Sequence, residues 1–438
     1  MSESRRRILL DVVALFAVAF ALRLGFALWL PTNDSVFWDQ PYKIYAQNFA
    51  EGRGFWMPNP YSESIGMERA YAFRPPLFPF LWGCVYRLTG GSYVPIRATF
   101  ALLGALTVVL AYLAGREMTG DRSTALLAGL ACALYPPLIW HSVHLMTEPM
   151  FIFFQTLCIL ALFRLRATGR IRWVIVAGIA TGLGTLTRSV LVGFAPLLAV
   201  WIIWMGGWKK RAWANAVGFG VVILIVMSPW IIRNYRVFHR FVPTTTDAGH
   251  GFYVANNPDS LDDPRGFWIP EDWGFLLRPG ETSLDEVEAR RRLTTMTRDF
   301  LLQNPGTAVR LMARRFVTLW RFWPNPQFVN RRYVLIYAAS YMPLIPFILT
   351  GLWLAHRQYW DRLPNLALVD GLVLYTTAIH VIFLAMMRYR VPLMPFLIVF
   401  AGVAGAHLIK GGRGTRGSLD ASSQRAVSPA NRSHHDGP

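Results

Sequence analysis

Apolar residues fall along this chain in long blocks separated by short polar segments. A helix needs about 20 mainly apolar residues to cross a bilayer. Segments that meet or approach this are 8–30, 93–114, 123–140, 146–163, 172–187, 189–206, 212–232, 333–355, 366–386 and 391–409. The pattern predicts an all-α polytopic membrane protein with about ten transmembrane helices. Residues 8–30 are too long, and too poorly followed by small residues, for a cleaved leader, and are expected to stay as the first span.

The polar segments between the spans set the orientation, because Lys and Arg favour the cytoplasmic side of short loops. With Arg5-Arg6-Arg7 inside, the inside loops become Arg116 to Arg122, Arg164 to Arg172, Trp208-Lys209-Lys210-Arg211 and His356 to Arg362. Each is short and basic, so both termini are expected to be cytoplasmic. Four regions follow: an N-terminal transmembrane module of residues 1–232 with a first outer loop at 31–92, an extracytoplasmic domain at 233–332, C-terminal transmembrane helices at 333–410, and a disordered cytoplasmic tail at 411–438.

Composition agrees. The 438 residues are 54% hydrophobic and 16% charged, where a soluble domain carries about 25% charged residues. A formal net charge of +19 raises a nucleic-acid reading, but the basic residues sit between apolar runs, where topology requires them. Cys84, Cys132 and Cys158 are scattered and imply neither a disulfide framework nor a metal cluster.

Candidate chemistry gathers on the outer side. Trp38-Asp39-Gln40-Pro41-Tyr42 follows the first span and places a carboxylate, Asp39, at the membrane's outer face, with Asp34 as a nearby substitute. Across residues 41–55, Tyr42, Ile44, Tyr45, Phe49 and Phe55 recur at roughly helical spacing and Gly52 and Gly54 end the run, which predicts an amphipathic surface helix. Arg74 precedes Pro75-Pro76 and is expected to be held by an extended backbone. Glu148 opens the fourth span with Pro149 in its first turn, and a carboxylate there is costly unless it is paired or used. His141, His144 and Glu148 would share a face at i, i+3 and i+7, but the nearby prolines interrupt the helix; a divalent metal is compatible with the chain and unsupported by it.

Arginines on the outer side run against the inside bias. Arg97, Arg188, Arg233, Arg388 and Arg390 fall near outer helix ends, and Arg23 lies in the outer half of the first span. Snorkelling explains some; a site for an anionic headgroup explains the set, since guanidinium forks match phosphate. In the outer domain, Ser283-Leu284-Asp285-Glu286 has capping-box form and predicts a helix over 284–302. A second helix after Asn304-Pro305-Gly306 carries Arg310, Arg314 and Arg315 beside Leu311, Phe316, Leu319 and Trp320, a composition suited to the membrane interface. No glycine-rich phosphate loop occurs, which argues against a cytosolic nucleotide-sugar donor.

Several pieces, in order, resemble one family: Asp39 with Tyr42, Ala46 and Gly52-Arg53-Gly54-Phe55; Arg74-Pro75-Pro76-Leu77-Phe78-Pro79; Thr147-Glu148; Gly182-Leu183 with Leu186-Thr187-Arg188; Pro229-Trp230-Ile231-Ile232-Arg233-Asn234; Gly249 through Asn257-Pro258; and Arg388-Tyr389-Arg390-Val391-Pro392-Leu393-Met394-Pro395. The chain is similar to the GT-C superfamily of integral-membrane glycosyltransferases, and among them to bacterial relatives of the dolichyl-phosphate-mannose protein mannosyltransferases and the lipid A aminoarabinose transferases. The resemblance implies a GT-C fold in the cytoplasmic (inner) membrane of the cell envelope. It implies a polyprenyl-phosphate-linked sugar donor, a lipid, glycan or protein acceptor, and extracytoplasmic transfer with inversion. Asp39 takes the position of the general base, and Glu148 that of a second acidic residue orienting the acceptor or a cation. Tyr42, Arg74, Arg97, Arg188, Arg233, Arg388 and Arg390 become candidates for substrate binding. Gln40 stands where some relatives have a second adjacent carboxylate. The rival reading is a transporter or flippase of lipid-linked sugars, against which the span pattern shows no half-to-half repeat.

Overall fold

The structure, a computed structural model, describes residues 3–30, 40–324 and 330–426. Most of them are helical, as chain buried in a bilayer must be to satisfy its own backbone hydrogen bonds. The membrane-length elements are α1 (Glu3–Trp29), α4 (Tyr93–Thr119), α7 (Glu148–Thr168), α10 (Lys210–Phe238), α16 (Leu363–Ile382) and α17 (Met394–Ala426). Before α4 lie α2 (Gln40–Ala50) and α3 (Leu77–Leu88); between α4 and α7 lie α5 (Arg122–Leu134) and α6 (Pro136–Val143); then come α8 (Arg172–Thr187) and α9 (Val190–Met205). After α10 follow α11 (Ala248–Ala255), α12 (Glu286–Gln303), α13 (Pro305–Trp320), α14 (Arg331–Tyr341) and α15 (Leu344–Gln358).

Each of the ten apolar segments coincides with helix. By length and composition, seven spans among the described residues are able to cross a membrane, or eight if α5 and α6, bent by 51° at Tyr135, form one. The difference from about ten lies in α8 and α9, each 16 residues and so only about 24 Å long. The prolines at 136 and 137 explain the bend: they sit at the first positions of α6, where a missing N–H costs nothing, and cannot extend α5. α17 continues to Ala426, through the first part of the segment expected as a disordered tail.

The bundle is packed through small residues that let helix backbones approach. A methyl at Gly351 of α15 would meet the Phe400 carbonyl oxygen of α17 at 1.7 Å, and one at Gly402 of α17 would meet that of Thr124 in α5 at 2.7 Å. α10 keeps Val217, Leu224 and Ile225 exposed, the face that lipid would cover.

The basic loops expected inside come together at one end. Asp11 accepts from Arg122 Nε at 2.8 Å and from the Tyr112 hydroxyl at 2.7 Å, tying α1, α4 and α5. Lys410 pairs with Asp121 at 3.1 Å and Arg164 with Glu117 at 3.1 Å.

At the opposite end the first loop and the 233–332 segment form one unit rather than two. Tyr45, Met57, Ile65 and Phe73 share a core with Val254, Trp273, Leu276, Leu284 and Leu293. A two-stranded ribbon, Met57–Pro58 against Arg69–Ala70, is its only sheet among the described residues. A helix, α2, covers much of the 41–55 run, with Tyr45 and Ala46 buried in neighbouring cores, and the chain leaves it through Gly52 and Gly54 at φ 75° and 92°, a conformation that glycine adopts without strain. The capping box does not form as expected. Asp285 is the N-cap of α12, accepting from the Val287 and Glu288 amides at 2.9 and 2.8 Å. Glu286 instead turns inward and accepts from the Tyr71 and Ala72 amides at 2.7 and 3.0 Å and from the Thr246 hydroxyl at 2.7 Å.

Candidate active site

Glu148 is the first residue of α7 and 1% exposed. One carboxylate oxygen, Oε1, faces Arg188 at 3.1 Å and Arg388 at 3.8 Å. Arg188 follows the last turn of α8, and Arg388 lies in the 3-10 turn Met387–Leu393 that leads into α17. Chain far apart in sequence thus meets at one buried carboxylate, which offsets the cost of placing two guanidiniums inside the protein. Tyr389 sits beneath both: the Arg188 and Arg388 guanidiniums lie 4.9 and 5.3 Å from its ring centre.

Arg74 extends the cluster toward the loop domain. It donates to Asp247 Oδ2 at 2.8 Å and packs over Phe73 at 4.9 Å and Tyr42 at 5.9 Å, so it is held, though by Asp247 as well as by its prolines. Burial pushes the Tyr42 hydroxyl upward against the opposing charge of Arg74, which keeps it protonated as a hydrogen-bond donor. Three arginines face two carboxylates, Glu148 and Asp247, leaving one net positive charge. That balance suits a phosphate-bearing ligand.

The other outer arginines do a different job. Arg233 donates to the Tyr71 and Phe55 carbonyls, both at 2.9 Å, pinning the first loop to α10. Arg97 donates to the Leu30 carbonyl at 3.1 Å, just past α1. Arg23 donates to the Ala133 and Cys132 carbonyls at 3.1 and 3.2 Å, which the bend after α5 leaves without helical donors. Arg390 donates to the Leu319 and Arg321 carbonyls at 3.1 and 2.9 Å. Of the seven candidate binding residues, the structure gathers Tyr42, Arg74, Arg188 and Arg388 and uses Arg97, Arg233 and Arg390 on backbone carbonyls.

Asp39 and Asp34 lie outside the described residues; Gln40, the next residue after Asp39, opens α2, which carries Tyr42. His141 is 3% exposed with both ring nitrogens unpartnered among the described residues, beside a small cavity shared with Arg23, Gly104 and Ser142. α6 ends at Val143, so His141, His144 and Glu148 share no continuous helix. Among the described residues no group of three or more His, Cys, Asp or Glu side chains is placed to hold a metal ion. Asp247 and Tyr389 are members that sequence reasoning did not single out. Tyr389 lies within a quoted motif and Asp247 two residues before another, but only the fold shows which arginine each meets.

A family model described as dolichyl-phosphate-mannose-protein mannosyltransferase matches residues 73–232. An undecaprenyl phosphate-alpha-4-amino-4-deoxy-L-arabinose arabinosyl transferase of Pseudomonas paraeruginosa is 29% identical over 154 residues, 33% of this chain and 27% of that protein. The chain therefore spans about a quarter of the length of such curated relatives. In fold it is similar to the Archaeoglobus fulgidus oligosaccharyltransferase AglB in complex with an inhibitory peptide and a dolichol-phosphate, with TM-score 0.57, 16% identity, and coverage of 99% of this chain and 53% of that one. It is likewise similar to ArnT from Cupriavidus metallidurans bound to undecaprenyl phosphate, with TM-score 0.53, 16% identity, and coverage of 97% and 66%. In family model, in curated relatives and in fold, the chain resembles the GT-C integral-membrane glycosyltransferases.

Proposed function

We propose that the protein transfers a sugar from a polyprenyl-phosphate donor to an acceptor on the extracytoplasmic side, with inversion at the anomeric carbon. The observation that carries this reading is the grip of Glu148 on Arg188 and Arg388, beside Arg74 and Tyr42. A lipid phosphate needs cationic hydrogen-bond donors at a membrane boundary, and this cluster supplies them with their positions already fixed.

In the proposed step the Asp39 carboxylate takes the proton of the acceptor hydroxyl. The hydroxyl oxygen attacks the anomeric carbon from the face opposite the phosphate. The bond from that carbon to the phosphate oxygen breaks, its electron pair leaves with the oxygen, and polyprenyl phosphate departs carrying one more negative charge. Arg188, Arg388 and Arg74 stabilise that developing charge. Glu148 is already committed to two arginines, so its role here is to aim them rather than to take a proton. The acceptor belongs to the class of lipid, glycan or protein hydroxyl-bearing molecules, and the site faces outward with both termini cytoplasmic.

The test is transfer from radiolabelled polyprenyl-phosphate sugars in membranes holding wild-type protein or Asp39→Asn. The expected result is transfer by the wild type and a loss of about 10²–10⁴-fold in the variant. Full transfer by Asp39→Asn overturns the base assignment; transfer by neither, with lipid movement between leaflets intact, favours a transporter. A reporter fused at residue 280 should read extracytoplasmic.

A further inference from the structure

The turn that carries Arg388 and Tyr389 is fastened from two directions by buried arginines whose described contacts include no carboxylate. Arg315, on α13, is 2% exposed and donates through Nη1 to the Val381 and Ile382 carbonyls at 2.8 and 2.6 Å, the last turn of α16. Its Nη2 donates to Asn256 Oδ1. Asn256, which follows α11, donates back to the Ile382 carbonyl at 3.2 Å. Arg390, 1% exposed, comes from beyond α16 and donates to the carbonyls that end α13, Leu319 and Arg321, with its guanidinium 3.7 Å from the centre of the Tyr341 ring.

The two helices therefore cap each other reciprocally. α13 supplies the cation for the C-terminus of α16, and the chain just after α16 supplies the cation for the C-terminus of α13. Helix C-termini carry partial negative charge and unpaired carbonyls, so a buried guanidinium is stable there only while its fork keeps that geometry. Between the anchors runs residues 383–389, further held by His380, whose ring stacks on Tyr389 at 4.4 Å and whose Nδ1 meets the Leu384 carbonyl at 3.1 Å.

We propose that Arg315 and Arg390 are positioning residues that set Arg388 against Glu148, so that lipid-phosphate binding depends on the α11–α13 block. The proposal rests on the reading above, in which Arg388 meets the donor phosphate. It assigns Arg390 a place behind the site rather than on the ligand. It also makes the loop domain part of the binding apparatus: a shift of α13 is carried through Arg315 to the end of α16 and so to Arg388.

The experiment is binding of undecaprenyl phosphate to the full chain in detergent, followed by tryptophan fluorescence at a temperature where each variant elutes as folded protein. Arg315→Lys keeps the charge and loses the fork; it is expected to weaken binding about tenfold, or roughly 1.4 kcal/mol. Asn256→Ala, a milder change to the same joint, is expected to weaken binding about threefold and decides the matter if Arg315→Lys does not fold. Asp11→Asn, at the far end of the bundle, should lower the melting temperature and leave the dissociation constant unchanged. That contrast separates positioning from general stability. Unchanged binding in Arg315→Lys and Asn256→Ala, with Arg388→Ala weakened, overturns the proposal alone. Unchanged binding in Arg388→Ala overturns the donor-site reading beneath it.

Discussion

Arg188 donates to Glu148 across 3.1 Å, joining the end of α8 to the first residue of α7, and the carboxylate it meets is 1% exposed. Arg388 approaches the same oxygen at 3.8 Å, so removing the carboxylate takes an anionic partner from two guanidiniums at once. Glu148→Ala is expected to cost about 3–5 kcal/mol of stability, the range for breaking a buried ion pair. It should also weaken lipid-phosphate binding, because the two guanidiniums lose their common aim. Thermal unfolding in detergent, paired with binding, checks this; a variant with wild-type values in both would remove the trio from the site.

Arg74 and Asp247 form a pair of another kind. Their side chains are 30% and 24% exposed, so the pair itself is worth little to stability, about 0–1 kcal/mol. Its value is orientation. Arg74→Ala should raise the KM for the polyprenyl-phosphate donor about tenfold or more; Asp247→Asn, which leaves the arginine in place, should raise it only a few-fold. Steady-state kinetics in mixed micelles gives both numbers, and the reverse ranking would place Asp247, not Arg74, on the ligand.

Glu286 carries the joint between α12 and the first loop. It satisfies the Tyr71 and Ala72 amides and the Thr246 hydroxyl, and burial raises its pKa despite those donors and the nearby Arg233 charge. Glu286→Ala leaves three donors unmatched, at about 1–3 kcal/mol for each that water does not reach. Glu286→Gln keeps an acceptor for the two amides and sheds the buried charge. It is expected to be close to neutral at pH 7, with the two variants ranked by urea or thermal unfolding.

His250 gives the loop domain an acid-sensitive point. Its ring packs against Tyr61, Phe73 and Trp273, and burial, with Arg74 nearby, depresses its pKa to about 3. The unfolded chain binds a proton there near pH 6.5, so between about 6.5 and 3 the unfolded state holds more protons and stability falls as pH falls. The ceiling on that loss is roughly 5 kcal/mol, reduced by the partial exposure of the ring. His250→Phe should flatten the melting temperature between pH 6.5 and 4. An unchanged slope would mean that other groups dominate acid unfolding.

Hydropathy made the helices legible because each span is written as one continuous apolar run. The cluster was legible as residue types, since Glu148 and the outer arginines are expensive at a membrane boundary and demand a reason. What the sequence does not separate is Arg388 from Arg390, or Arg188 from Arg97. A guanidinium that serves a carboxylate and one that caps a helix look alike until the helix ends are placed, because every helix ends in open carbonyls. The same holds for Asp285 and Glu286: adjacent acids near a predicted N-cap, one facing its own helix and the other a bend of the first loop more than two hundred residues earlier. Only tertiary packing chooses between them.

The shared carboxylate also orders events during synthesis. Glu148 and Arg188 are close in the chain and meet once α7 and α8 are inserted, whereas Arg388 is made much later, at the start of the last described span. Until that span enters the membrane, the cluster is half-built and neutral, with Arg188 balancing Glu148 and Arg74 balancing Asp247. On the proposed reading, the net positive charge that would suit a lipid phosphate therefore arrives with α17, the last described helix. On that reading, a chain interrupted before Arg388 would occupy the membrane without withdrawing lipid carrier from it.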